Sequence, residues 1–600
     1  MLFPGDSAFV SFDTLTQIDT TQQEEWQEIQ DTLKVPVYVA RTYIAKGVQD
    51  EINRAPGIFV SCPGPLGSPA IPVRYLNTAG AEVTINGMPF PDNGLYRPYV
   101  IGNDLNTIPW EILNDIVLNP GLSSGADLDF KLGRPPDKVN RSDIEVARGP
   151  YGYNSSRWRF FRPFGKAYYS YFTAGFKKSK GYIENSDYDG FHVTGGLSRR
   201  TKSSEVSLDL WQHRARTGLN SFDFLTTQES RQSREIIRGE LHYRRRIRGR
   251  VGASVAGLFQ RSSQTESGYT NPVKTKLELA GGEAMLADSI TGGRLTAGVK
   301  YYRLRLLGLY SKKPDVNHFE YLAGGGGGLG FLRYEALIAY LWDENDHGEI
   351  APFVKTWWGE TKTASPYLLF SRARRFPDLY LRNFDDLVGG LRLPGFLQSY
   401  AFKSVANLAM PVYTQGRLGL ETEWGGLEAD LGVTMRRVES QIYLSYLADT
   451  AGNFSVSPVN FDDKYLELFV RIAGKRGPFS GEISASFRRW PNKYFADGVE
   501  KGPAATGFAR LSISKELFIR QLFLGGSFQA RASSRRDYRA FTDGFTDAFV
   551  ATYGRIEFRY KDFTFWLNDD NLVNSQYMTW WPYPESARTV WWGLRWVFFD

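Results

Sequence analysis

From about Lys166 onward the chain alternates apolar and polar residues with a period of two. Val206, Leu208 and Leu210 alternate with Ser207, Asp209 and Trp211. Ile237, Leu241 and Tyr243 alternate with Arg238, Glu240, His242 and Arg244, and Leu427, Leu431, Val433 and Met435 with Glu428, Asp430, Thr434 and Arg436. Successive side chains of a strand point to opposite faces, so each run predicts a strand with one apolar and one charged face. About twenty such runs fill residues 166–600. No helical segment of crossover length separates them, so sequence neighbours should pair antiparallel. Between two of the runs stands Trp424-Gly425-Gly426-Leu427, whose two glycines tolerate the positive φ of a tight hairpin.

The first 150 residues read differently. Proline is frequent there, and the pieces are short and mixed. Residues 37–39 predict a strand, and 48–55 a short helix ended by Pro56-Gly57. Residues 81–86 predict a strand followed by a turn at Asn86-Gly87, 110–114 a helical turn, and 115–118 another strand. This is the pattern of a small α/β globule placed ahead of a long antiparallel β region.

Composition narrows the class. Of 600 residues 42% are apolar and 23% charged, which is not a disordered composition. No apolar run reaches the 18 residues of a membrane-spanning helix. Cys62 is the one cysteine, so there is no disulfide framework or cysteine metal site, and the five histidines are too scattered for a zinc site. A large soluble all-β protein and an outer-membrane β-barrel remain. The polar faces carry charge in nearly every run, which suits the wet lumen of a wide barrel. Aromatic residues gather at run ends, at Trp357-Trp358, Trp580-Trp581, Tyr583, Trp591-Trp592 and Trp596. Rings with an apolar body and a polar edge favour a membrane interface. At roughly 20 residues per strand and connection, the residues after 155 give about 22 strands. A barrel that wide needs a plug, and the N-terminal globule has the right size.

The net charge of +7 is mild for this length. The arginines at 244–246 and 535–536 sit beside strand ends with no accompanying motif, so no nucleic-acid partner is expected. Residues 1–6 show neither a basic nor an apolar region of the kind that opens a signal peptide.

With this architecture in place, several segments resemble those of TonB-dependent outer-membrane receptors. Residues 51–58, with Pro56 and Gly57, resemble the plug helix and the Pro-Gly step that ends it. Residues 81–90 resemble the plug strand that ends in Asp-Gly-Val-Pro, with Asn86 and Gly87 at its turn and Asn86 in place of the usual Asp. Residues 105–118, with Pro109, resemble the following Ile-Pro segment. The family's Arg-Gly-Pro element has two counterparts, Asn119-Pro120-Gly121 and the better match Arg148-Gly149-Pro150. Near the other end, residues 571–577 and 584–589 resemble the family's penultimate loop and last turn. The closing run with Trp596, Phe598 and Phe599 resembles the signal read by the barrel-assembly machinery.

The resemblance implies an all-β membrane protein: a ~22-stranded antiparallel transmembrane barrel with a small α/β plug in its lumen. It divides the chain into a periplasmic segment at 1–35, a plug at 36–150 and a barrel at 151–600. It also implies localisation to the Gram-negative outer membrane, and import of a scarce small-molecule or metal-chelate ligand such as an iron chelate or cobalamin. The implied partners are the TonB–ExbB–ExbD energy complex, outer-membrane lipid and lipopolysaccharide. TonB pairs as a strand with an exposed N-terminal box. Asp31, Thr32, Leu33, Lys34 and Val35 resemble that box, with Lys34 a departure, and residues 13–16 form a second candidate. The alternative reading is a structural or docking barrel that keeps the fold and binds partner proteins instead of transporting.

No enzyme and no cofactor are expected. The five glycines at 324–328 lack the Lys-Ser/Thr of a phosphate loop and predict a strand lying close to its neighbours. The acidic stretch 343–349 is read as a solvated loop before a cation site. Neither metalloprotease spacing nor a nucleophile elbow is present.

Overall fold

The computed structural model describes residues 34–36, 59–61, 71–73, 83–91, 107–109, 112–118, 128–132 and 140–598, apart from connecting stretches in the last range, the longest being 375–400, 490–502 and 219–230. From Arg141–Arg148 to Thr589–Phe598, twenty-two strands form one closed antiparallel barrel. Successive strands pair as the alternation predicts, and the glycine turn does what its sequence requires. Gly425 and Gly426 stand at φ 60° and 84° and set Trp424 opposite Leu427. Closure comes from the last strand pairing with the first, Trp592 opposite Arg148 through to Phe598 opposite Ser142.

The barrel begins at Arg141, ahead of the expected boundary at 151. The residues Ile144-Glu145-Val146-Ala147-Arg148 alternate as a wall strand does, and the sheet needs them: without this strand Asn154–Phe164 and the last strand would each lack a second partner and the barrel would stay open.

The burial pattern is inverted relative to a soluble protein. On strand Ser204–Gly218, Leu208 and Leu210 are exposed while Ser207, Trp211 and His213 are buried. On strand Phe454–Arg476, Leu466 and Leu468 are exposed and Glu467 is buried. A soluble sandwich hides the apolar face. Here that face is the outside, which is the solution a hydrocarbon solvent demands. Replacing Leu210, midway along its strand, with arginine should cost about 2–4 kcal/mol of barrel stability, read as a lower denaturant midpoint in lipid vesicles.

Aromatic residues mark both edges of the apolar band. On one side Tyr301, Phe319 and Trp342 form a ladder on adjacent strands, at 4.8 and 5.3 Å between ring centroids. On the other, Phe164 stacks on Tyr168 at 5.5 Å and Trp596 meets Phe598 at 4.3 Å, with Phe331, Trp424 and Phe563 exposed nearby. Trp591 departs from the expected interface role. It is buried on the inner face, where it packs with Ala147, Tyr153 and Trp566. Its neighbour Trp592 is the exposed one, because adjacent strand residues cannot share a face.

The two rims differ. One carries short turns such as 330–331, 425–426, 477–478 and 561–562, and the other carries the longer connections 219–230, 375–411, 490–504 and 571–588. Short turns face the periplasm and long loops the exterior in barrels of this kind.

Candidate functional site: the lumen and its plug

The wall's inner face is a lattice of cross-strand ion pairs. Arg488 lies 3.1 Å from Glu467, Arg471 3.0 Å and Arg510 3.3 Å from Glu482, and Arg417 3.0 Å from Asp430. At the seam, fully buried Asp143 is held by Arg159 at 2.7 Å and approached by Arg595 from the last strand at 3.7 Å. Arg157 and Glu145 pair beside it. Each charge finds its partner on a neighbouring strand because like-facing residues in register lie close together, and pairing offsets the cost of removing them from water.

Inside lies a five-stranded sheet in the order Lys34–Pro36, Leu113–Leu118, Leu128–Leu132, Val83–Ile85, Met88–Pro89. Val83, Ile85, Met88, Phe90 and Phe130 are buried. The expected turn at Asn86-Gly87 is present, with both residues at positive φ, 53° and 79°. This is the backbone that an Asn-Gly pair accommodates best. Buried Asp129 braces it, accepting from Thr84 Oγ1 and the Gly87 amide, each at 2.9 Å, with Lys131 at 2.7 Å.

This turn is fastened to the wall. Arg238, fully buried on strand Arg231–Arg248, donates through Nη1 to the Pro89 carbonyl at 2.9 Å and to Gln260 Oε1 at 2.8 Å. Its Nε donates to Glu240 at 2.6 Å, and its guanidinium lies 5.7 Å from the Phe90 ring centroid. Phe90 also meets Trp211 at 5.8 Å. Asn86 works from both ends of its amide. Its Oδ1 accepts the Leu132 amide at 3.0 Å, and its Nδ2 donates to Glu240 Oε2 at 3.1 Å. That explains the departure from Asp at this position: a carboxylate has no proton to give Glu240 and would meet it as a like charge. A second contact sets Ile112 against Phe161, Tyr169 and Tyr171 of the wall, with Leu132 packed beside them.

The residues singled out from sequence fall in different places. Pro109 belongs to the globule, its carbonyl accepting the Ile112 amide at 3.2 Å. Leu113–Leu118 is a single strand where a helical turn and a shorter strand were expected. Its pairing with Leu128–Leu132 claims the backbone as far back as Leu113. Arg148 ends the first barrel strand and Gly149 and Pro150 open the following turn, so this Arg-Gly-Pro belongs to the barrel and not the plug. Gly149 is needed there because a Cβ would lie 2.3 Å from the Trp591 ring. Lys34 and Val35 stand opposite Val117 and Ile116 at the edge of the plug sheet. Trp596 and Phe598 lie on the closing strand. Asp31, Thr32, Leu33, Pro56, Gly57, Cys62 and Phe599, the strand expected at 37–39 and the helix expected at 48–55 lie outside the described residues.

Nothing in the sequence singles out Arg238, Glu240 or Gln260. Arg238 and Glu240 have the pattern of any charged strand face, and the one signal is the oddity of Asn86. The glycines at 324–328 lie in strand Asp315–Leu329, as expected. A Cβ on Gly324 would sit 2.4 Å from the Ala336 carbonyl oxygen. In the acidic stretch, Asp343 faces Arg374 at 3.6 Å and Glu349 faces Arg372 at 2.8 Å. Among the described residues no cluster has the make-up of a metal site.

A closed, 22-stranded, apolar-walled barrel strapped around an internal domain defines the fold: the one found in TonB-dependent receptors. Solved structures share it nearly end to end. The siderophore receptor PirA from Acinetobacter baumannii superposes with a TM-score of 0.76 at 10% identity, covering 94% of this chain and 98% of that one. The FrpB iron transporter from Neisseria meningitidis gives 0.75 at 12% identity, covering 93% and 97%. The copper transporter OprC gives 0.72 at 13%, covering 92% and 98%. These likenesses are to transporters and receptors rather than to enzymes. No protein-family model and no curated protein matches the sequence.

Proposed function

We propose that this protein is a TonB-dependent transporter of the Gram-negative outer membrane that imports a scarce, compact ligand such as an iron or other metal chelate. The observation that carries this reading is the globule fastened inside a closed lumen by Arg238 and Asn86. A barrel serving only as a scaffold has no use for an internal, wall-latched domain, whereas an energised importer must block its pore at rest. The solved structures of the same fold include a siderophore receptor, an iron transporter and a copper transporter. In this reading, residues 1–35 form the periplasmic segment gripped by TonB and driven by ExbB and ExbD. Residues 36 to about 140 form the plug, and the ligand enters from the long-loop rim.

The last two residues of the proposed box, Lys34 and Val35, lie in the plug-sheet strand Lys34–Pro36. Among the described residues that strand is the sheet's edge, the position at which a further strand can add. Deleting residues 1–35 should abolish energised uptake while leaving ligand binding at the cell surface unchanged. Uptake that survives the deletion would sink the proposal.

The docking alternative draws on one observation: the Arg-Gly-Pro expected in the plug belongs to the barrel. Purification with stoichiometric protein partners, and with no bound small ligand, would favour it.

A further inference from the structure

Residues 1–33 carry seven Asp or Glu and neither Lys nor Arg, in a chain whose net charge is +7. The carboxylates are densest at Glu24, Glu25 and Glu28, and the first base is Lys34, which opens the edge strand of the plug sheet. A segment of one sign repels itself and is held in place only against the opposite sign.

That opposite sign gathers at one place on the short-turn rim. Two neighbouring turns, one after strand Tyr188–Arg200 and one after strand Arg231–Arg248, bring together Arg200, Lys202, Arg244 and Arg246. Arg244 and Arg246 continue the face of Arg238 and Glu240, and Arg200 that of buried Ser198, while exposed Leu241 and Leu197 mark the other face. The three arginines therefore stand on the lumen side of the wall. Arg200 is opposite Glu205, and Glu205 is opposite Arg244. Among the described residues Glu205 is the one carboxylate between them. Lys202 and Arg244 are exposed, and neither side chain makes an ion pair or hydrogen bond among the described residues.

The root of the acidic segment is on this side of the lumen. Lys34–Pro36 pairs with Leu113–Leu118, and Ile112 at the head of that strand packs with Tyr169, which stands opposite Ser198, two residues from Arg200. The patch lies below the plug latch: Arg244 is four residues from Glu240 on one strand, about 13 Å toward the periplasm. Glu24 stands ten positions ahead of Lys34, and that length of chain spans up to about 36 Å.

We propose that the acidic N-terminal segment docks on this cationic patch at the periplasmic mouth, with Glu24, Glu25 and Glu28 against Arg200, Lys202, Arg244 and Arg246. The proposal rests on the outer-membrane reading above, and adds to it how the N-terminal segment is presented. The lumen-side position of the arginines selects a segment of this chain over a lipid headgroup, which meets the outer wall alone. Held by the patch at one end and by the plug sheet at the other, residues 29–33 are drawn out with an extended backbone, the form in which a strand adds to a partner. The pairs are exposed, so each contributes little alone, and the contact depends on several acting together at moderate salt.

The test is spin-label EPR of the folded full chain in lipid nanodiscs, with a nitroxide carried by the Gln27→Cys substitution in a Cys62→Ser background. At about 0.1 M salt the label should be restrained. At about 1 M, where the screening length falls from about 10 to about 3 Å, it should be mobile. K202E/R244E should raise the mobile fraction at least about fivefold, and E24K/E25K/E28K should do the same. Combining the two sets should restrain the label again, since the signs are exchanged and the complementarity is kept. K475E/R476E makes the same charge change at exposed residues of another turn on this rim, and should behave as wild type. A label mobile in wild type, a label equally restrained in every variant, a combination that stays mobile, or an equal effect of the control overturns the docking. So does a K202E/R244E variant that keeps the label restrained and sheds phosphatidylglycerol, which assigns the patch to lipid. An unchanged heat-modifiable gel band checks that each variant folds. Uptake assayed in the same cells reports separately: a restrained label in a protein that imports nothing sinks the transport reading alone.

Discussion

Replacing Arg238 with alanine should release the plug turn from the wall. The change removes the donor to the Pro89 carbonyl and the cation beside Phe90, and it strands Glu240 in a buried site with Asn86 and His242 as its remaining partners. Breaking a buried ion pair from one side typically costs about 3–5 kcal/mol, because the orphaned charge stays out of water. Local opening of residues 83–90 should therefore rise roughly 10²–10⁴-fold. Hydrogen exchange over that segment measures it directly. Cells carrying the variant should also become sensitive to large antibiotics that the outer membrane normally excludes. Asn86→Asp should act in the same direction with smaller amplitude, since it sets a second carboxylate against Glu240 Oε2 and keeps Arg238 in place. Unchanged exchange in both variants would mean that the latch does not hold the plug.

Replacing Gly593 with valine should stop the barrel from closing in register. Gly593 lies on the last strand opposite Ala147 of the first and Trp566 of the preceding strand. A Cβ there would come 2.3 Å from the Trp566 ring and 2.8 Å from the Val146 carbonyl oxygen. Neither obstacle yields easily, because the ring is buried and the oxygen belongs to the closing ladder. Overpacking costs about 1–3 kcal/mol where the neighbours can shift, and two paired strands can shift only by giving up the seam. The expected result is loss of the heat-modifiable folded band and of protein in the outer-membrane fraction. Adding Trp566→Ala should restore part of it by removing the nearer obstacle. A Gly593→Val barrel that folds as wild type would show that the seam tolerates a different register.

Much of this is legible in the sequence. The period of two fixes strands and faces, since a strand's geometry puts alternate residues on opposite sides whatever the surroundings. The absence of crossover segments fixes antiparallel neighbours, and the Asn86-Gly87 and Gly425-Gly426 pairs mark turns because few other residues accept their backbone angles. The candidate site was less legible. Arg148-Gly149-Pro150 matches a plug motif in letters, yet Arg148 ends a wall strand and Gly149 and Pro150 open the turn after it, because strand pairing and not local spelling decides where a segment resides. Trp591 and Trp592 looked alike in sequence and point to opposite sides.

By itself, then, the sequence determined the class of element, the face each residue occupies relative to its neighbours and an approximate strand number, all of which are local properties of a chain with a two-residue repeat. It did not determine which face meets lipid, where the barrel begins, or that Arg238 and Asn86, 152 positions apart, meet through Glu240 and Pro89. Those depend on closure. Only when the first strand pairs with the last does a lumen exist, and only then do charges that look like an ordinary wet strand face become a buried lattice around a plug.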